Sequence, residues 1–226
     1  DEEERVAALL ALELLDSEAE LQFDSITRLA AEITGLPIAL VSLVDESRQW
    51  FKSKVGLAVS ETPREHAFCA HAIHGRNVFV VEDTVSDPRF AENPLVTGEP
   101  NIRFYAGAPL VTKNGHSLGT LCVIGDSPRT FSEREAQVLK SLAEHVMNLI
   151  EYRSMSRNLA ATVSKLKIIS GLVPVCAWCK QVRDDKGMWH DVDCYIAQHT
   201  KADVTHGMCP TCSSATPSDD SGNFQR

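Results

Sequence analysis

Apolar residues recur along this chain with more than one period, and each period predicts a different element. Val6, Leu9, Leu10 and Ala11 return near the helical repeat behind the polar run Glu2 to Arg5. That pattern predicts a first helix over 2–15, with its acidic residues at the favourable end of the helix dipole. Ile26, Leu29, Ala30 and Ile33 share one face of a second helix, opened by Asp24 as cap with Phe23 just before it. Gly35 stops that helix and Pro37 prevents its return. The repeat then changes. Ile38 to Val44 is a short β-rich run ending at Asp45, which reads as a buried strand, and Gln49 to Lys54 reads as its hairpin partner.

Thr62 as cap and Pro63 at the first position predict a helix carrying Phe68, Cys69, Ala72 and Ile73. Val78 to Glu82 reads as a strand. The stretch from Asp83 to Gly98 is rich in Asp, Pro and Asn, with Phe90 and Leu95 as its bulky apolar anchors, so it reads as a structured lid or a loop with short helical turns. Arg103 to Thr112 and Ser117 to Ile124 flank Asn114-Gly115, the dipeptide of a two-residue hairpin. A long helix opens at Ser132, which with Glu135 has the capping-box form. Leu139, Leu142, Val146 and Leu149 repeat at spacings of three and four; the seam lapses at Arg153 and Ser156 and resumes at Leu159, Val163 and Leu166. Such a seam predicts a coiled coil joining two copies through Ser132 to Leu166, against the plainer reading of a packing helix that ends near Arg153 and passes into a linker.

Composition narrows the class. The 226 residues are 43% hydrophobic and 23% charged, which fits a globular chain with a core of its own. The longest apolar runs stop well short of the roughly 18 to 20 residues that span a bilayer. A net charge of -9 argues against nucleic acid as a partner, because that affinity rests on cationic side chains. The amino terminus lacks the basic and apolar pattern of a secretory signal, so the expectation is a soluble, cytoplasmic protein. Seven cysteines are unevenly spread: Cys69 and Cys122 stand alone, while Cys176, Cys179, Cys194, Cys209 and Cys212 crowd the carboxyl-terminal quarter.

Several strings occur in a telling order: Leu14-Leu15-Asp16, Phe23-Asp24, Phe68-Cys69-Ala70-His71, Val81-Glu82-Asp83, Asp87-Pro88-Arg89-Phe90, Arg103 to Leu110, and Gly119 to Ile124. Together they resemble a bacterial GAF domain over about residues 5 to 153. The resemblance implies an α+β fold, an antiparallel sheet with helices on one face and a sensory pocket on the other. It places Phe51, Phe68, Cys69, His71, Asp83, Phe90, Tyr105 and Cys122 in or beside that pocket, with a small molecule as the implied ligand. Cys69 and His71 are a pair able to make a reactive thiolate, a metal site or a tetrapyrrole attachment point. The plainer reading is a buried thiol beside a histidine satisfied by Asp83 or a backbone carbonyl. Ala70 between them departs from the adjacent Cys-His of bilin-binding GAF domains. Cys122, between Leu121 and Val123, reads as core. A thiol enzyme of the free methionine sulfoxide reductase type would need Cys69 and Cys122 to meet, and their spacing does not show that they do.

Cys176-Ala177-Trp178-Cys179, 29 further residues, and Cys209-Pro210-Thr211-Cys212 make two C-x2-C knuckles, whose four thiolates suit a closed structural zinc site. A segment this short has too small a core to stand without such a staple. His206 and Cys194 are substitute ligands of lower rank, and paired redox dithiols are the competing reading. Asp184 to Gly187 reads as a turn and Trp189 to His199 as a small helix. Together with His206-Gly207-Met208-Cys209-Pro210, the strings resemble a cysteine module at the carboxyl end of bacterial PAS and GAF sensory proteins. The expected organisation is a sensor over 1–153, a helical linker over 154–170, a zinc module over 171–212 and a disordered tail over 213–226. The expected function is signal transduction, with a signalling protein as partner and a structural adaptor without a ligand as the rival reading.

Overall fold

A computed structural model describes residues 1–170, 173–184, 186–199 and 204–214. Of the expected disordered tail over 213–226, Ser213 and Ser214 close a short helix and 215–226 lies outside the described residues. The chain divides into two units, Asp1–Asn158 and Leu159–Arg226.

In the first unit, α1 (Glu2–Leu10) and α2 (Leu21–Thr34) precede β1 (Ile38–Val44), β2 (Arg48–Val55) and β3 (Glu61–Pro63). A single 3-10 turn at Arg64–His66 leads into α3 (Phe68–Ala72), followed by β4 (Phe79–Val81), α4 (Pro94–Thr97), β5 (Phe104–Val111) and β6 (Ser117–Gly125). The strands form one antiparallel sheet in the order β3-β2-β1-β6-β5-β4. Its first face carries Ala39, Val41, Leu43, Phe104, Ala106, Ala108 and Leu110, which pack on Leu9, Phe23, Ala30 and residues of α5 (Glu133–Ser170). Its second face carries Ile38, Leu40, Val44, Phe51, Tyr105 and Ile124 beneath α3 and the segment that follows β4. The expected α+β architecture is therefore present.

Local departures from the sequence reading have identifiable causes. Helix α1 ends at Leu10, not Leu15, because Glu13 and Asp16 take left-handed backbone angles that turn Leu14 into the core. Helix α2 starts at Leu21, with Glu20 rather than Asp24 at the cap, because Asp24 instead accepts the Ser53 hydroxyl of β2 at 2.6 Å. Thr62 and Pro63 open no helix: Thr62 pairs with Gln49 as part of the edge strand β3, where a proline costs no ladder hydrogen bond. The hairpin between β5 and β6 turns over Lys113, Asn114 and Gly115, not two residues. Gly115 N–H bonds Thr112 O at 2.9 Å and only Gly115 lies at positive φ, +87°, the three-residue turn with its left-handed final position.

The capping box at the start of α5 is formed: Ser132 N–H bonds the Glu135 carboxylate at 2.9 Å, and Glu135 N–H bonds Ser132 Oγ at 3.3 Å. The helix continues unbroken past Arg153 and Ser156. Leu139, Ala143, Val146 and Ile150 are buried against the sheet, so this part of the seam serves the chain's own core. Tyr152, Met155, Leu159 and Val163 continue it as exposed side chains; the side chain of Leu166 lies outside the described residues.

A bulge in β2, between its pairings with Val41 and Ser42, sends both Lys52 and Ser53 to the helical face. Ser53 Oγ meets Thr27 Oγ1 at 2.7 Å. The wholly buried Lys52 side chain bonds Ser17 Oγ at 2.9 Å, Glu18 O at 2.6 Å and Glu20 Oε1 at 2.7 Å. Arg153 of α5 reaches the same Glu20 oxygen at 2.8 Å. One carboxylate thus ties the bulge, the segment before α2 and the long helix together. Burial raises the Glu20 carboxyl, but the hydrogen bonds and charges of Lys52 and Arg153 outweigh it and hold the group below its ordinary value of 4.5.

Glu20→Gln strands a buried ammonium and should destabilise the fold by about 3 kcal/mol in denaturant unfolding, whereas Glu20→Gln with Lys52→Met should recover most of that loss. Because the folded carboxyl titrates below its unfolded value, the Glu20 contribution is present above 4.5 and fades as pH falls through the folded value. Glu20→Gln should correspondingly flatten the acid limb of a stability-versus-pH curve.

Candidate functional site

Strand alternation decides what faces the second side of the sheet. Ile38, Leu40, Phe51, Tyr105 and Ile124 point there, and α3 adds Phe68 and Cys69. These side chains, the turn at Gly56 to Val59, and Leu95, Glu99, Pro100 and Ile102 enclose a cavity of about 380 Å³. Gln49, Thr62 and Glu99 are the polar exceptions in an otherwise apolar wall, the usual composition of a small-molecule site. Phe68 is stacked between Phe90 at 4.2 Å and Tyr105 at 5.2 Å, centroid to centroid, which fixes the short helix α3 over the sheet.

At the inner end of the cavity Cys69 is met by hydroxyls. Thr120 Oγ1 donates to Cys69 Sγ at 3.1 Å and Tyr105 Oη donates at 3.3 Å. The Tyr105 ring reaches that position by lying across Gly107, where a Cβ would stand 2.2 Å from the phenolic oxygen. Cys122 Sγ lies 3.9 Å from Cys69 Sγ. A polar chain continues outward: Ser42 Oγ donates to Gln49 Oε1 at 3.2 Å, and Gln49 Nε2 donates to Thr62 Oγ1 at 3.0 Å. Burial pushes the Cys69 thiol up, but hydrogen bonds from Cys122, Thr120 and Tyr105 outweigh it and hold the thiol below its ordinary value. Cys122 moves the opposite way, raised by its hydrogen bond to Cys69, by burial and by the Cys69 charge. Burial and the two neighbouring sulfurs push the Tyr105 phenol up, so it stays a donor. The two thiols thus differ in their surroundings: Thr120 and Tyr105 donate to Cys69, and Cys122 stands behind it.

Of the residues expected at the pocket, Phe51, Phe68, Cys69 and Tyr105 line the cavity. Cys122 stands behind Cys69 and Phe90 behind Phe68, both buried. His71 projects outward from α3 and meets Phe90 edge-on at 4.9 Å. Burial and the Arg89 charge lower its imidazolium affinity for protons. Asp83 does not satisfy His71; its carboxylate accepts from Ser86 Oγ at 2.5 Å and Val85 N–H at 3.1 Å. Ser42, Gln49, Thr62 and Thr120 are participants that the sequence reading missed. Ser42 within Ile38 to Val44 and Thr120 within Leu118 to Ile124 carried a signal: a lone hydroxyl in an apolar strand.

The second unit is described by itself. Strands β7 (Val182–Arg183) and β8 (Trp189–His190) pair across a turn in which Asp184 Oδ1 accepts from Lys186 N–H at 2.9 Å and Met188 N–H at 2.8 Å. Helix α6 (Val192–His199) begins later than expected because Trp189 and His190 belong to β8, and α7 (Pro210–Ser214) follows. Cys176 sits on a tight turn closed by Lys180 N–H to Cys176 O at 3.0 Å and Cys176 N–H to Gln181 O at 2.8 Å, with Lys180 left-handed. Backbone N–H groups of Cys179 and Trp178 and the Cys179 thiol lower the Cys176 thiol, a donor set suited to a metal-binding thiolate. Among the described residues no three metal-ligating side chains are grouped together. The side chain of Cys212, the fourth expected ligand, lies outside the described residues. His206 bonds Asp193 at 2.7 Å.

Comparison with known proteins agrees with this geometry. The GAF domain family model matches residues 18–150. A cyclic di-GMP phosphodiesterase of Pseudomonas aeruginosa is 48% identical over 148 residues, 65% of this chain and 25% of that protein. The chain thus spans about a quarter of that relative's length. Two solved structures share the fold. The GAF domain of an Acinetobacter phosphoenolpyruvate-protein phosphotransferase has a TM-score of 0.50 at 19% identity, covering 67% of this chain and 93% of that one. The free methionine-R-sulfoxide reductase of Neisseria meningitidis has a TM-score of 0.50 at 19% identity, covering 65% and 87%.

Removing a donor from Cys69 should make it a more ordinary thiol. Thr120→Val and Tyr105→Phe, each in a Cys122→Ser background, should shift the pH midpoint of Cys69 alkylation by iodoacetamide upward, by roughly one unit for a lost hydrogen bond to a charged sulfur.

Proposed function

The chain belongs to the GAF domain family, and from that premise we propose that it is a signal-transduction sensor whose cavity takes up a small molecule and whose long helix transmits occupancy. The observation that carries this reading is the cavity of about 380 Å³, apolar-walled and lined by Phe51, Phe68, Cys69 and Tyr105, on the sheet face opposite the helices. The match to a cyclic di-GMP phosphodiesterase over 148 residues supports a regulatory role within a signalling protein.

Transmission follows from what a ligand touches. Leu95, Glu99, Pro100 and Ile102 form part of the cavity wall, and Arg103 N–H bonds Gly125 O at 2.9 Å at the end of β6. Arg129, just beyond β6, bonds Glu82 O through its N–H at 3.1 Å and pairs with Glu135 in the first turn of α5. A ligand that favours one arrangement of the wall therefore biases the start of α5, and the bias equals its difference in affinity for the two arrangements. In this reading the exposed seam of Tyr152, Met155, Leu159 and Val163 pairs two copies of the chain as a homodimer. The cysteine module, held by structural zinc on Cys176, Cys179, Cys209 and Cys212, presents the outcome to a signalling protein partner. Two C-x2-C pairs, Cys176 with Cys179 and Cys209 with Cys212, support this reading by supplying the four thiolates of a closed zinc shell.

Native mass spectrometry of the whole chain tests this directly. The expected result is a dimer carrying one zinc per chain and a retained small molecule. Cys176→Ser should lose the zinc and keep the small molecule; Leu57→Trp, which fills the cavity, should do the reverse. A monomer without ligand after exposure to cell metabolites would favour a ligand-free adaptor.

A further inference from the structure

Cys69 and Cys122 lie 53 positions apart in sequence, yet the fold sets their sulfurs 3.9 Å apart at the inner end of the cavity. A buried cysteine that only fills space needs apolar neighbours. Cys69 instead takes hydrogen bonds from Thr120 and Tyr105, all within an interior where each of these residues is at most 1% exposed. Cys69 borders the cavity and Cys122 does not. The arrangement is a hydroxyl-bonded sulfur on a residue that borders the cavity, backed by a second sulfur on a residue that does not.

We propose that Cys69 and Cys122 form a two-thiol site that reduces small apolar hydroperoxides admitted to the cavity, which deepens the sensor reading and rests on it. The wall of Ile38, Leu40, Phe51, Phe68 and Ile124 selects an organic peroxide with a hydrocarbon body. The Cys69 sulfur attacks the terminal peroxide oxygen; an S–O bond forms as the O–O bond breaks, and the departing alkoxide takes the proton given up by the Cys69 thiol and leaves as the alcohol. The Cys122 sulfur then attacks the Cys69 sulfenic acid. The S–S bond forms, the S–O bond breaks, and the hydroxide departs as water with the Cys122 proton. Two thiols lose two electrons and one hydroperoxide gains them, giving one disulfide, one alcohol and one water.

Closing the pair from 3.9 Å to the bond length of about 2.0 Å requires one sulfur to move. Cys122 is fixed in β6, bonded on one side to β1 and on the other to β5. The movement falls to Cys69 on the five-residue α3, whose amino terminus has no side-chain cap. Phe68 on the same helix carries the stack with Phe90, so oxidation draws on the cavity wall that the sensor reading uses.

The test is to treat the reduced full-length chain with one equivalent of cumene hydroperoxide and map its cysteines by peptide mass spectrometry. The expected result is a peptide pair linked through Cys69 and Cys122, with cumyl alcohol released in equal amount and the link reversed by dithiothreitol. Cys122→Ser should leave a sulfenic acid on Cys69 that dimedone traps, and Cys69→Ser should abolish both products. Leu57→Trp should slow Cys69 oxidation at least about tenfold, since reaction requires both the thiolate and access to it. Free Cys69 and Cys122 after treatment, or dimedone capture at Cys122 ahead of Cys69, would overturn the proposal. If those thiols stay free while a small molecule is still retained in the cavity, the sensor reading stands and only the peroxide chemistry fails.

Discussion

Everything in the first unit depends on a six-stranded sheet that must bury both of its faces. Each residue of β1 and of β6 is buried, so neither central strand has a solvent side. Helices α1, α2 and α5 fill one face continuously with interlocking side chains. The other face is covered by a five-residue helix and an irregular segment, which are too small to fill it. The cavity is the part of that face which packing leaves over. A binding site arises here because one layer of the fold is complete and the opposite layer is not.

Two polar devices inside this sheet have different purposes. At the β2 bulge, Lys52 is surrounded by oxygen acceptors and anchored on Glu20, joining three segments distant in sequence. That arrangement holds the unit together. On the other face, Thr120 and Tyr105 both donate to the Cys69 sulfur. Each hydroxyl would cost about 1–3 kcal/mol if buried without a partner, and among the described residues every buried side-chain nitrogen and oxygen has one. Gly107 makes the second device feasible, because only a residue without a Cβ leaves room for the Tyr105 ring to lie flat across β5.

The aromatic part of the cavity wall came into view through the family resemblance, which set Phe51, Phe68 and Tyr105 at a pocket. Phe51, Phe68 and Tyr105 sit in apolar or alternating runs, and each lines the cavity. His71 and Asp83 are polar residues near those runs, and their surroundings were legible only in three dimensions. His71 is two positions from Cys69 on a helix, so the two side chains diverge, as the helical repeat requires. Asp83 is taken up by the turn that starts at its own position, through Val85 and Ser86, before it can reach another element. Local hydrogen bonding of this kind competes with any long-range role and leaves little mark on a hydrophobic pattern.

While the α+β class came with the family resemblance, the sequence by itself determined most of the element order, the capping box at Ser132 and the contrast between a sheet-forming unit and a cysteine-rich one. These rest on periodicity and on short motifs whose physics is confined to a few neighbouring residues. Tertiary structure decided which thiols meet, where the bulge sends Lys52, how far Thr62 and Pro63 are drawn into an edge strand, and which stretch of the α5 seam is consumed by the core. Each of those outcomes turns on a partner far away in the chain: Cys122 for Cys69, Glu20 for Lys52, Gln49 for Thr62, the sheet for Leu139 and Val146. A residue's own neighbours fix its preference. Only the closed fold fixes its company.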